Sequence, residues 1–194
     1  MANADKVFGF KPVGRIDGSP NNGQTMLCYK AAGTTVTNDL FVGDPVVFSG
    51  SGDTSGIPGV SKATAGAENP ILGIITGVQV DGNHLDRATW IDGADAGYVM
   101  VCCDMDTIFE VQADELLTYE DIGENANFVV TQAGSRTTGK SGIELDATLT
   151  SSLPTWQFKI WGFPQRPDNT LGEENVKVLV TINNSQLHQD NAGV

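Results

Sequence analysis

Apolar residues in this chain come in short bursts separated by Gly, Pro, Asn and Asp, and Val, Ile, Thr and Phe dominate within the bursts. Short β-branched and aromatic runs with turn residues between them are the pattern of an all-β domain. The pattern predicts strands at 26–29, 44–48, 71–80, 98–103, 108–112, 127–130, 157–163 and 176–183. Alternation is clearest in the last two. Trp156, Phe158 and Ile160 oppose Gln157, Lys159 and Trp161, while Val176, Val178, Val180 and Ile182 oppose Lys177, Leu179, Thr181 and Asn183. A period of two requires one buried face on each strand. The fold class is therefore all-β, an antiparallel β-sandwich or barrel, with a jelly roll among the arrangements that periodicity leaves open.

One stretch reads as helix, a brief turn at 119–122 that Thr118 caps, with Asp121 three residues on and Gly123 stopping it. The segments 14–23 and 49–59 are rich in Gly with Ser, Asp, Asn and Thr and read as exposed loops or extended arms. A further turn cluster, 134–142, carries Arg136 and Lys140, two of the few cations in the middle of the chain. The organisation that follows is an extended N-terminal arm at 1–24, a β-rich domain at 25–185 and a polar C-terminal tail at 186–194, with no tandem repeat. The arm bears Phe8, Phe10 and Pro12, and its two phenylalanines must be buried, either on the parent domain or in a neighbouring subunit or larger surface.

Charge narrows the partners. Of 194 residues, 24 are acidic and 11 are Lys or Arg, a formal net charge of -13. Binding nucleic acid needs clustered cations and a field of the opposite sign, and anionic lipid needs the same, so neither is expected as a partner. With 40% hydrophobic residues the chain can bury a substantial core, yet its longest uninterrupted apolar run is the six residues 98–103, too short to span a bilayer. The start, Met-Ala-Asn-Ala-Asp-Lys, does not read as a secretory signal, and synthesis in a cytoplasm-like compartment is expected. Cys28, Cys102 and Cys103 are odd in number, the latter two adjacent, which fits reduced thiols rather than a disulfide framework.

Catalytic chemistry finds little support. His84 sits in a polar turn and His188 in the tail, so neither is positioned as a base oriented by a carboxylate. There is no nucleophile elbow, phosphate-binding loop or dinucleotide fingerprint, and adjacent thiols do not make a zinc site. Asp104 with Asp106, and the turn containing Asp81, Asn83 and Asp86, are the carboxylate clusters able to hold calcium weakly, but without a 12-residue EF-hand pattern solvated turn residues are the favoured reading. Trp90, Trp156 and Trp161 keep a sugar-stacking platform open as an alternative. No catalytic residue, cofactor or metal is therefore assigned. The most distinctive stretch runs from Trp161 through Phe163, Arg166 and Pro167 to Gly172. An arginine between prolines there is either an interface anchor on a pre-ordered loop or part of a hairpin closure.

Several segments, in order, resemble one family. The opening Ala-Asn-Ala-Asp-Lys-Val-Phe-Gly-Phe-Lys-Pro-Val, the stretch Leu40-Phe41-Val42-Gly43-Asp44-Pro45-Val46-Val47, Gly73-Ile74-Ile75-Thr76-Gly77-Val78, Gln165-Arg166-Pro167-Asp168-Asn169 and Val180-Thr181-Ile182-Asn183-Asn184 are similar to structural proteins of tailed, mostly short-tailed, bacteriophages. These are head decoration or cement proteins. The resemblance implies a non-enzymatic virion component on the outer surface of the capsid that binds the major capsid protein, forms a homotrimer and clamps neighbouring subunits against the pressure of packaged DNA. The residues expected at the partner interface are Phe8, Phe10, Pro12 and Arg15 in the arm and Trp161, Phe163, Arg166 and Pro167 near the end. The alternatives are another virion component, such as a head-tail connector or tail protein, and a surface carbohydrate-binding or adhesin module.

Overall fold

The computed structural model describes residues 3–20, 24–33, 39–82, 84–148 and 154–187. Asn83, His188 and the rest of the tail from 188 onward lie outside the described residues. The strands are β1 (Lys11–Arg15), β2 (Met26–Lys30), β3 (Leu40–Phe41), β4 (Pro45–Gly52), β5 (Pro58–Lys62), β6 (Gly73–Val78) and β7 (Trp90–Ile91) in the first half of the chain. They continue with β8 (Gly97–Cys102), β9 (Thr107–Gln112), β10 (Asn125–Ala126), β11 (Phe128–Val130), β12 (Ile143–Leu145), β13 (Phe158–Gly162) and β14 (Lys177–Ile182). One turn of 3₁₀ helix, Tyr119–Asp121, begins at Thr118, whose hydroxyl accepts from the Glu120 N–H while Asp121 accepts from the Thr118 N–H, a closed capping box.

Two layers result. Strands β2, β5, β4, β6 and β8 close into a barrel in that order, antiparallel except for the parallel β2–β5 contact. A five-stranded antiparallel sheet, β1-β9-β14-β13-β10, lies against it, and the pairs β11–β12 and β3–β7 flank the two. The molecule is thus all-β, with antiparallel sheets and a closed barrel.

Alternation explains how one wall serves two cores. Val46, Val60, Leu72, Ile75, Val99 and Val101 fill the barrel, whereas their neighbours Ile74 and Cys102 face outward. There they meet Phe109, Val111, Phe158, Ile160, Val178 and Val180 from the sheet and Phe128, Ile143 and Leu145 from β11–β12. Where β6 and β8 pass between the layers, at Ile74–Ile75 and Val101–Cys102, both faces are buried and the apolar run is continuous, while Met100 farther along β8 is 44% exposed.

Four expectations change. The N-terminal segment is not a separate arm over its described residues: Lys11–Arg15 pairs with β9 as the edge of the sheet, with a bulge between Pro12 and Gly14. Its physical reason is Phe10, 1% exposed, whose ring stacks on Phe158 at 4.3 Å. The loop expected at 49–59 is largely strand, since β4 runs on to Gly52 and β5 starts at Pro58; exposed Gly and Ser still pair through their backbones. Asp53 closes the short turn between them by accepting from the Ser55 and Ile57 N–H groups at 2.9 and 2.8 Å. Residues 14–15, expected in a loop, belong to β1. Finally, Gln157, read on a polar face, is fully buried, because its carboxamide donates to the Thr64 and Asn69 carbonyls, each at 2.9 Å.

Candidate interaction surface

The N-terminal segment is fixed to the domain by backbone fit. Gly9 has φ +73°, and a Cβ there would meet Ser141 at 2.7 Å and the Gly43 carbonyl at 2.8 Å. The Phe10 N–H donates to Gly43 O at 3.0 Å, and the Gly43 N–H in turn donates to Ile75 O at 2.8 Å. Upstream, Asn3 donates to the Thr170 and Glu174 carbonyls and accepts from the Thr170 N–H at 2.7 Å, and the Lys6 N–H donates to Gln112 Oε1 at 2.9 Å.

Phe8 and Phe10 consequently part company. Phe10 belongs to the core, whereas Phe8 is half-buried and, with Pro12, lines a largely apolar groove of about 490 Å³. Val42, Thr76 and Thr89 and the loop 138–140 complete it. A second groove of about 290 Å³, lined by Asp5, Lys6, Val7 and residues of the loop 132–142, shares Thr138 and Lys140 with the first. Sequence reasoning missed Val42, Thr76, Thr89 and Thr138. The signal available for the loop was its pair of cations, Arg136 and Lys140, in a cation-poor chain.

Charge is distributed unevenly around these grooves. All four arginines are held by carboxylates: Arg15 by Asp17, Asp104 and Asp106, Arg87 by Asp92 and Asp95, Arg136 by Asp39 and Asp92, Arg166 by Glu110 and Asp168. Lys62 pairs with Asp44 and Lys177 with Asp168, and buried Lys30 donates to three backbone carbonyls. Lys6, Lys11 and Lys140 are exposed, and their ammonium groups have no partner among the described residues. Lys11 lies opposite Glu110 in register, but that carboxylate is already taken by Arg166.

Of the C-terminal group, Trp161 and Arg166 lie on the outer face of the five-stranded sheet, whereas Phe163 packs into the core behind it. Arg166 reaches Glu110 through two nitrogens at 2.6 and 3.1 Å, and this hydrogen-bonded pairing raises the pKa of the guanidinium further. Phe163 is buried, Pro167 is exposed, and Trp161 is 44% exposed with its Nε1–H donating to Thr181 Oγ1 at 2.7 Å. The sequence-derived residues thus fall in two places, Phe8 and Pro12 at the groove with Phe10 in the core beneath, and Trp161, Arg166 and Pro167 at the sheet surface with Phe163 in the core. Arg15, tied into the 104–106 turn, closes the end of β1.

The remaining chemical candidates are structural. Asp104 and Asp106 both pair with Arg15, and Asp104 also accepts from Thr107 Oγ1 at 2.9 Å. His84 Nδ1 stands 3.3 Å from Asp81 in a surface turn. Burial pushes the Cys28 thiol up to about 11 and the Cys103 thiol up to about 12, far from the thiolate a nucleophile needs. Trp90, 7% exposed, has Arg87 and Arg136 over its ring at 4.9 and 5.0 Å, which leaves little face for a sugar. No group of three or more His, Cys, Asp or Glu with metal-binding geometry occurs among the described residues. Comparison with known proteins finds no matching family model, curated protein or solved structure.

Proposed function

We propose that this chain is a non-enzymatic virion structural protein that binds the outer face of an icosahedral phage head as a decoration or cement protein, clamping neighbouring major capsid subunits as a homotrimer. One observation carries the reading. Three of the segments that resemble this family, separated by tens of residues, are joined through Phe10–Gly43–Ile75 backbone hydrogen bonds and line one groove with Phe8, Pro12, Val42 and Thr76. Three of the five similar segments meeting on one continuous surface is what a shared docking task would leave.

Charge supports the same assignment. A domain of net charge -13 is repelled by packaged DNA and favours the outside of a shell, where like charge also keeps particles dispersed. Symmetric copies multiply modest contacts into slow release. The test is binding of the purified protein to undecorated heads, with light scattering for the oligomer. Stoichiometric co-sedimentation at hundreds of copies and a trimer in solution are expected. A tight monomer that never sediments with heads overturns the reading, and a few copies at one vertex would make it a connector or tail component instead.

A further inference from the structure

Acids outnumber cations by more than two to one in this chain, and four of its lysines are engaged: Lys62 and Lys177 pair with carboxylates, and Lys30 and Lys159 donate to backbone carbonyls. The three lysines without any partner among the described residues, Lys6, Lys11 and Lys140, are not scattered. Lys11 lines the first groove, Lys6 the second, and Lys140 borders both where they adjoin. Between them lie the half-buried Phe8 ring and the hydroxyls of Thr89 and Thr138, neither of which has a hydrogen-bond partner among the described residues. The one acid on this border, Asp5, already accepts from Gln112 Nε2 at 3.0 Å.

We propose that the paired grooves bind an extended acidic segment of the partner protein, seating an apolar side chain against Phe8 and pairing its carboxylates with Lys6, Lys11 and Lys140. The partner's identity as a capsid subunit rests on the function proposed above; the chemistry of the segment does not. Three features select an extended peptide over a small anion. The cations are spread along two adjoining grooves, with Lys6 in one, Lys11 in the other and Lys140 on their shared border, whereas a single small anion needs donors that converge on it. The volume of about 490 Å³ is in the range of side-chain and ligand pockets and is mostly apolar, so charge alone does not fill it. Two unengaged hydroxyls suit the N–H and C=O groups of a peptide backbone. Lysine also suits the role, as a compact charge that accepts carboxylates from many directions. A positive island on a negative molecule gives direction as well as affinity, because an acidic partner is repelled everywhere else.

Two measurements test this on the full chain. A fluorescent heptapeptide, Asp-Glu-Leu-Asp-Phe-Glu-Asp with blocked ends, is titrated by anisotropy against the wild type and a K11E/K140E variant, beside a counterpart with Lys at every acidic position. The acidic peptide should bind at least tenfold more tightly than its basic counterpart, and at least tenfold more weakly to the variant. The milder K6Q/K11Q/K140Q variant should fall between, with an unchanged melting temperature. Equal binding of the two peptides, or wild-type affinity in both variants, overturns the proposal. Displacement of the peptide by citrate at equal molar concentration would mean a small-anion site and also overturns it. The same variants are then sedimented with undecorated heads. Wild type that binds heads with variants that bind equally well rejects the groove and leaves the proposed function standing; wild type that ignores heads rejects the function while the peptide titration still decides the groove.

Discussion

Gly9 is where the N-terminal segment is most exposed to a single substitution. Its positive φ and the contacts a Cβ would make at 2.7–2.8 Å act together, since alanine would bring both left-handed strain and a collision with backbone. Gly9→Ala should destabilise the fold by at least about 2 kcal/mol, read as a lower urea midpoint at unchanged slope. Arg166 tests a different balance. Glu110 is 7% exposed, so removing the guanidinium leaves a largely buried carboxylate with one charge partner fewer. Because Arg166 itself is half-open to solvent, Arg166→Ala should cost about 1–2 kcal/mol, less than for a fully buried pair, and a melting temperature within error of wild type would reject the pairing as structural. Asp44 carries the pH argument. It is completely buried, accepting from Ser141 Oγ at 2.5 Å and the Phe41 N–H at 3.1 Å beside Lys62 at 3.2 Å. Burial outweighs these partners and raises its pKa above the usual 3.8. A carboxyl that holds its proton more tightly when folded subtracts stability as pH rises from the unfolded value to the folded one. The stability of Asp44→Asn relative to wild type should therefore improve between pH 4 and pH 7; a constant gap in urea midpoints rejects the shift.

Strand β1 alters what a truncation means. With Phe10 against Phe158 and β1 completing one side of β9, deleting residues 1–11 removes a core aromatic, a change worth about 3–5 kcal/mol in other cores. The truncated chain should melt far below wild type or aggregate; a folded truncation of unchanged melting temperature would return the segment to the status of a detachable arm. The eight strands read from sequence are those whose apolar run is dense enough to be recognised alone. Strands β1, β5 and β12 escaped because their residues, Lys-Pro-Val-Gly-Arg, Pro-Gly-Val-Ser-Lys and Ile-Glu-Leu, are too short or too rich in Gly, Pro and charge to show a pattern of their own; β1 is held by β9, far away in sequence, and β5 by its hairpin partner β4. Glu144 in β12 is 4% exposed and accepts from Gln112 Nε2 at 2.8 Å, a contact between residues 32 apart that no local periodicity announces. The interface candidates split for the same reason: an aromatic in a Gly- and Pro-rich stretch must be buried, but only tertiary structure says that Phe10 goes in while Phe8 stays at the rim.

Barrel and sheet share their stability. Ile74 and Ile75, and Val101 and Cys102, send successive side chains into different cores, so neither layer keeps its packing without the other. Heating should give one transition, with calorimetric and van't Hoff enthalpies equal; two resolved transitions would mean that the layers fold independently. The edges of the five-stranded sheet have a bearing on crowding. One edge is β10, two residues long, and the other is β1, where Pro12 lacks an N–H and the bulge before Gly14 breaks the ladder between charged Lys11 and Arg15. Short, proline-interrupted, charged edges are poor templates for a further strand. Molecules held shoulder to shoulder at high local concentration can therefore touch without zipping into fibrils, and each remains a separate, replaceable unit.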